Sequence, residues 1–309
     1  MKASLTCAKS FSIVRLQRKI KRETLVSHTE IIDELNRCKK AVHGLFGPMD
    51  EQLRGDWTST KDGQTEKPES FDEFLERDRR HITEGQSLGI FFIGNLPELI
   101  SRDELRGFVQ AYFSLQVVFL PNQDRNSIPK DAWRSILHYV PQANACLILD
   151  RVLAPLKKPH AKSYWGIIAI THEDLLYDPN DDLDYVYGLS RAGEPGFPGI
   201  AIVSTRRIWR PDAVGVETSR LRLFKLVTHE IGHLFHVQHC LKHACIMNGV
   251  ETVDQIDRHP IEVCPDCMAK ICWIGQIYPK ARYDRLIAVC KRLDMQTEAG
   301  LYRKCRELS

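Results

Sequence analysis

No apolar run in this chain approaches the roughly 20 residues that a membrane-spanning helix requires. The N-terminus carries neither the apolar stretch nor the small-residue cleavage site of a secretory signal. A membrane protein is therefore not expected, and a cytoplasmic or nuclear location is. A dominant charge is missing too: 43 Lys and Arg stand against 40 Asp and Glu, a net of +3. That balance lacks the basic stripe that an obligate nucleic-acid partner calls for. Internal repeats and low-complexity tracts are also lacking. What is there is 309 residues, 43% hydrophobic and 27% charged, enough to bury one large core or two modest ones sharing a cleft. A monomer is the expectation.

One stretch departs from this balance. Met1 to Arg22 contains Lys2, Lys9, Arg15, Arg18, Lys19, Lys21 and Arg22 and no acid. That composition is shared by mitochondrial transit peptides and by solvated helical faces, so mitochondrial targeting stays open beside the cytoplasmic expectation. The cysteines are uneven as well. Ten in a chain without a secretory signal point to reduced thiols or metal ligands, and five of the ten, Cys240, Cys245, Cys264, Cys267 and Cys272, crowd into one short stretch.

Periodicity predicts a helix over residues 10–45, where Ile32, Leu35 and Val42 recur at helical intervals, and a loop over Thr58–Lys67. Short β-branched and aromatic runs then alternate with helical patterns. Gly89–Ile93 reads as a buried strand. Ser101 with Glu104 offers a capping box for a helix to about Tyr112, and Val117–Leu120 reads as a second strand closed by Pro121. Strand, helix and strand in that order predict a βαβ crossover. A helix is expected over Asn144–Ala154, ended by Pro155, and a central strand over Gly166–Thr171. Asp174–Asp184 reads as an acidic loop and Tyr185–Tyr187 as a short strand. Ile200–Val203 reads as an edge strand bordering a cleft.

The chemistry concentrates further on. With Thr218 or Ser219 as N-cap, Leu223, Leu226, Val227 and Leu234 supply the apolar face of a helix running to about Phe235. His229-Glu230-Ile231-Gly232-His233 lies on it. Two histidines four residues apart are separated by about 40° around a helix and one turn along it, so both rings can reach one zinc ion at about 2.0–2.1 Å. Glu230, beside His229, can reach a water at the open coordination position without ligating the metal. Zinc lowers the pKa of the attacking water toward about 7, and a neighbouring carboxylate moves its proton to the leaving amine.

His239, six residues after His233, has the spacing of the extended His-Glu-x-x-His-x-x-Gly-x-x-His signature of the metzincin metallopeptidases. His236 stands where that signature has the Gly that turns the chain, so the turn is expected to be either strained, with a non-glycine residue at positive φ, or slightly reshaped. The rival third ligand is His236 itself. It lies only three residues after His233 and would point along the helix, which favours His239. Beyond it, Cys240 and Cys245 with Cys264-Pro265-Asp266-Cys267 form two pairs that make a four-cysteine structural zinc site.

In these motifs the sequence resembles the archaemetzincins, a metzincin-like family of zinc metallopeptidases. The match is carried by His229-Glu230-Ile231-Gly232-His233-Leu234-Phe235, His239-Cys240, Cys245-Ile246-Met247 and Cys264-Pro265-Asp266-Cys267. Weaker similarity to the animal archaemetzincin type extends to Leu45-Phe46-Gly47-Pro48, Asp56-Trp57, Phe71-Asp72-Glu73-Phe74 and the Gly166–Val203 region.

The resemblance implies that Met247 is the Met-turn residue beneath the three histidines and that the protein carries two zinc ions. It implies an α+β (mixed α/β) fold, a single metzincin-like catalytic domain with a twisted sheet, an active-site helix and a zinc-stapled C-terminal subdomain. The expected organisation is a mostly helical N-terminal extension over 1–85, a catalytic domain over 86–295 with its cysteine segment at 240–267, and a C-terminal tail over 296–309. Peptide or protein is the expected substrate. The competing function is a zinc-stabilised binding module with little turnover. Glu230 argues against it, because a site relieved of chemistry has no need of the base.

Overall fold

The computed structural model describes residues 28–49, 66–78, 80–97, 100–134, 140–177 and 185–309. The basic stretch Met1–Arg22, Asp56-Trp57, most of the Thr58–Lys67 loop and part of the acidic loop lie outside them. The described part of the first helix runs His28–Val42 and buries Leu35, Cys38 and Val42.

The architecture is mixed α/β. Strands β1 (Ser87–Ile93), β2 (Val117–Phe119), β5 (Tyr164–Thr171), β7 (Gly188–Arg191) and β8 (Gly199–Ser204) form a five-stranded sheet. Its order is β2-β1-β5-β8-β7. The first four strands are parallel and only β7 runs antiparallel. Between β5 and β7 in sequence, β6 (Asp174–Leu176) joins β3 (Trp133–Arg134) and β4 (Gln142–Asn144) in a separate three-stranded sheet. The acidic stretch therefore opens on a strand, because Asp174 is tied to Arg207 and Gln142.

The near-continuous apolar runs of β1, β5 and β8 follow from burial on both faces. Ile90, Phe92, Ile168, Ile170, Ala201 and Val203 face the core shared with the active-site helix. Phe91, Ile93, Ile167, Ala169, Ile200 and Ile202 face a second core under the helical segment from Ala145 to Lys157. That segment corrects one expectation. Pro155 does not end it, because a π-helical turn over Leu149–Leu153 precedes the proline and loosens the hydrogen-bond ladder that its missing N–H would break.

A second correction concerns Ile200–Val203. It is not an edge: β8 lies between β5 and β7 with all six residues buried. The last strand of the sheet is β7, which begins just after the predicted Tyr185–Tyr187 strand. Val186 makes only a single bridge to Leu175.

The active-site helix spans Val216–Leu234. It starts earlier than predicted, after Gly215 in a positive-φ conformation, and Ser219 turns its hydroxyl back to the Gly215 carbonyl from within the first turn. Leu223, Phe224, Leu226, Val227, Ile231 and Leu234 are all buried, each contributing roughly 1.5–3 kcal/mol of hydrophobic stabilisation. Helices Pro265–Gly275, Pro279–Arg292 and Gln296–Leu308 complete the C-terminal part. A buried bidentate pair, Arg282 to Glu262 at 2.7 and 3.0 Å, ties them to the segment that leads into Cys264. Among the described residues no helix is long and apolar enough to cross a membrane.

Candidate metal centres

The structure brings His229, His233 and His239 together, one ring nitrogen from each lying within 4.8 Å of the others. His229 and His233 are one turn apart on the helix, and their Nε2 atoms approach to 3.1 Å. Nitrogens around a tetrahedral zinc at 2.0–2.1 Å stand about 3.4 Å apart, so the set fits that ion. The Nδ1 of His229 faces the Ile246 carbonyl and that of His233 the Val237 carbonyl, both at 2.8 Å. A carbonyl can only accept, so each Nδ1 carries the proton and each Nε2 keeps its lone pair. Burial holds both rings neutral, His229 well below the ordinary histidine range and His233 down to about 3.

The chain reaches His239 through a Schellman turn. His236 N–H donates to His233 O at 2.9 Å and Val237 N–H to Gly232 O at 3.1 Å. His236 adopts the left-handed conformation, φ 61°, in the position where glycine is usual. Its ring turns away from the three histidines. Nδ1 accepts from Arg80 Nη2 at 2.8 Å beside Asp78, and burial lowers its pKa to about 4, keeping it an acceptor.

Two glycines that the sequence reading passed over shape the site. A Cβ on Gly232 would collide with the Met247 thioether, so the missing side chain lets fully buried Met247 press against the helix between His229 and His233. A Cβ on Gly188 would sit 2.6 Å from Glu230 Oε1. The Glu230 carboxyl thus rests against β7, where Ser190 hydrogen-bonds it, and burial raises its pKa to about 8. A glycine inside a strand does signal close approach of another group, but not which group.

Cys240, Cys245, Cys264 and Cys267 form a second, buried cluster whose sulfurs lie within 4.8 Å of one another. Cys240 Sγ and Cys264 Sγ are 3.7 Å apart. That is too far for a disulfide and matches the roughly 3.8 Å between thiolates at 2.3 Å around a tetrahedral zinc. All nine described cysteines are free. The backbone N–H groups of Met247 and Cys264 donate to Cys245 Sγ. Cys264 also caps the Pro265–Gly275 helix, whose N-terminus favours negative charge. Hydrogen bonds from its three neighbours push the Cys240 thiol far down, while burial pushes Cys245 up. Fully buried Asn248, also unanticipated, locks the intervening loop: its side chain accepts from Cys245 N–H at 2.8 Å and donates to Cys240 O at 2.5 Å and His243 O at 3.0 Å.

Comparison with known proteins agrees with the motifs. Residues 166–272 match the model for Peptidase family M54. Archaemetzincin-2 of Mus musculus is 27% identical over 297 residues, 81% of this chain and 78% of that protein. Archaemetzincin-2 of Pongo abelii is 26% identical over 300 residues, 82% of this chain and 79% of its own length. The crystal structure of archaemetzincin from Archaeoglobus fulgidus aligns with a TM-score of 0.46 at 24% identity, covering 60% of this chain and 99% of that one. By these sequence matches the chain is similar to the archaemetzincins over most of its length, and its residues 166–272 resemble Peptidase family M54.

Proposed function

We propose that this chain hydrolyses peptide bonds at a zinc held by His229, His233 and His239, with Glu230 as general base, and that Cys240, Cys245, Cys264 and Cys267 hold a second, structural zinc. The observation that carries the reading is the orientation of the helix histidines: their Nδ1 atoms are tied to backbone carbonyls, which leaves their Nε2 lone pairs facing each other. Zinc bound there supplies a water of pKa near about 7 and polarises the scissile carbonyl.

The remaining work falls to side chains. Glu230 takes the proton of the attacking water and delivers it to the leaving amine. In the metal-free protein burial raises its pKa to about 8 against the lowering pull of the Ser190 hydrogen bond, and a divalent cation nearby favours the carboxylate form that a base requires. Ser190 and the bare backbone of Gly188 aim it. Met247 is the apolar platform under the rings. Because Glu230 rests on β7 and β7 ends the sheet, the substrate is expected to extend along β7 by backbone pairing, in place of the Ile200–Val203 path.

The test is hydrolysis of a mixed peptide library by metal-loaded protein with and without Glu230→Ala. Cleavage should fall about 10²–10⁴-fold with metal content unchanged. Equal turnover removes Glu230 from the mechanism, and no turnover in either leaves the zinc-stabilised binding module.

A further inference from the structure

We propose that Glu66 is the positioning residue for the third histidine, its carboxylate accepting the Nδ1–H of His239 and so aiming Nε2 at the metal. The inference rests on the three-histidine reading above. His229 and His233 have a helix beneath them and backbone carbonyls on their Nδ1 atoms. His239 lies off the helix, on the irregular chain beyond the His236 turn, and its Nδ1 stands 3.0 and 3.2 Å from the two Glu66 oxygens. A carboxylate on the far nitrogen fixes ring and tautomer, strengthens the other nitrogen as a donor, and places a negative charge beside a site whose three ligands are neutral.

The segment that carries Glu66 is built to hold it there. Three residues on, Glu69 bonds the buried Lys270 ammonium at 2.8 Å and Arg77 at 2.7 Å. Ser70 and Glu73 form a capping box for the Phe71–Arg77 helix, which sinks Phe71 and Phe74 into the core. From the end of that helix, Arg77 Nη2 donates to the His236 carbonyl at 2.8 Å, and Arg80 bonds both the His236 ring and Gly193 O. Residues 66–80 thus grip the third-ligand loop at its turn and at its metal end, from outside the span 166–272 that matches the family model.

Cobalt(II) separates the two centres, because thiolate ligation gives intense near-ultraviolet charge-transfer bands that three imidazoles do not. The parent chain, Glu66→Ala and Glu66→Gln are loaded with cobalt and titrated with a chelator, and the metal-free proteins are melted in parallel. Retention at the histidines should weaken about 10- to 100-fold in Glu66→Ala and less in Glu66→Gln, which keeps an acceptor without the charge. The thiolate bands and the metal-free melting temperature should not move. Retention in Glu66→Ala within about twofold of the parent overturns the inference, as does an equal loss at both centres or a lowered metal-free melting temperature. A parent chain that takes no metal at the histidines overturns the site reading itself, and is told apart because the thiolate bands still report loading.

Discussion

His239 and Cys240 are neighbours in the chain, yet they serve clusters built on opposite plans. The cysteine cluster is closed: its four sulfurs would fill a tetrahedron, all four residues are buried, and two backbone N–H groups donate to Cys245 Sγ. The histidine cluster brings three rings together, two of them only partly buried, and a tetrahedral metal held by them would keep a fourth position open. Closure suits a staple and openness suits chemistry. The ligand type follows the same logic, since four thiolates secure a segment with little secondary structure of its own, whereas neutral imidazoles leave a divalent ion electrophilic.

Exchanging the damage between the clusters tests this contrast most severely. Cys264→Ser should remove a contribution on the order of 10 kcal/mol to the order of the 240–267 segment. Melting should fall by tens of degrees, or the protein should fail to accumulate, and metal at the histidines should be lost with the loop. His233→Ala should lower metal content from about two ions per chain to about one and abolish turnover, with the melting of the metal-free protein nearly unchanged. Elemental analysis and calorimetry check both, and a Cys264→Ser protein that melts with the parent breaks the comparison.

A smaller effect is expected within the open site. Gly188→Ala would drive a methyl into Glu230, so kcat should fall about 10²-fold with metal content and KM little changed. Steady-state kinetics decides it, and a loss confined to KM would place Gly188 in substrate binding. The smallest effect concerns pH. His259, 3% exposed and held by burial at a pKa of about 4, takes up a proton in the unfolded chain near pH 6.5 but not in the folded one. Its contribution is full above pH 6.5 and is lost progressively toward pH 4, at up to about 1.4 kcal/mol per pH unit. Denaturant unfolding of metal-free protein should show His259→Gln flattening that slope, and an unchanged slope would assign it to other groups.

Much of this was legible in the sequence because the information is local. Strands β1 and β5 announce themselves as apolar runs, and the histidine and cysteine motifs declare their chemistry by spacing alone. What was not legible depends on distant partners. The run Ile200–Val203 says that a strand is buried but not that β7 will cover its other side, and β7 itself, Gly-Leu-Ser-Arg, has none of the β-branched residues that mark a strand. Glu66 meets His239 across 173 residues of sequence, a pairing no periodicity encodes. That His236 stands in a glycine position marked the turn as either strained or reshaped, and the structure shows the left-handed, strained form, while the Arg80 and Asp78 partners that hold its ring were not foreseeable.

The adjacency of His239 and Cys240 also limits how this chain can vary. Surface loops ordinarily absorb insertions at little cost. A single residue inserted between these two would separate their Cα atoms by about 3.8 Å more, many times the ±0.2 Å within which metal–ligand distances are held. The 18 residues between Cys245 and Cys264, with their own helix Val253–Arg258, carry no such restriction. Length variation among related chains should collect in that interval and avoid the single peptide bond that joins the histidine and cysteine clusters.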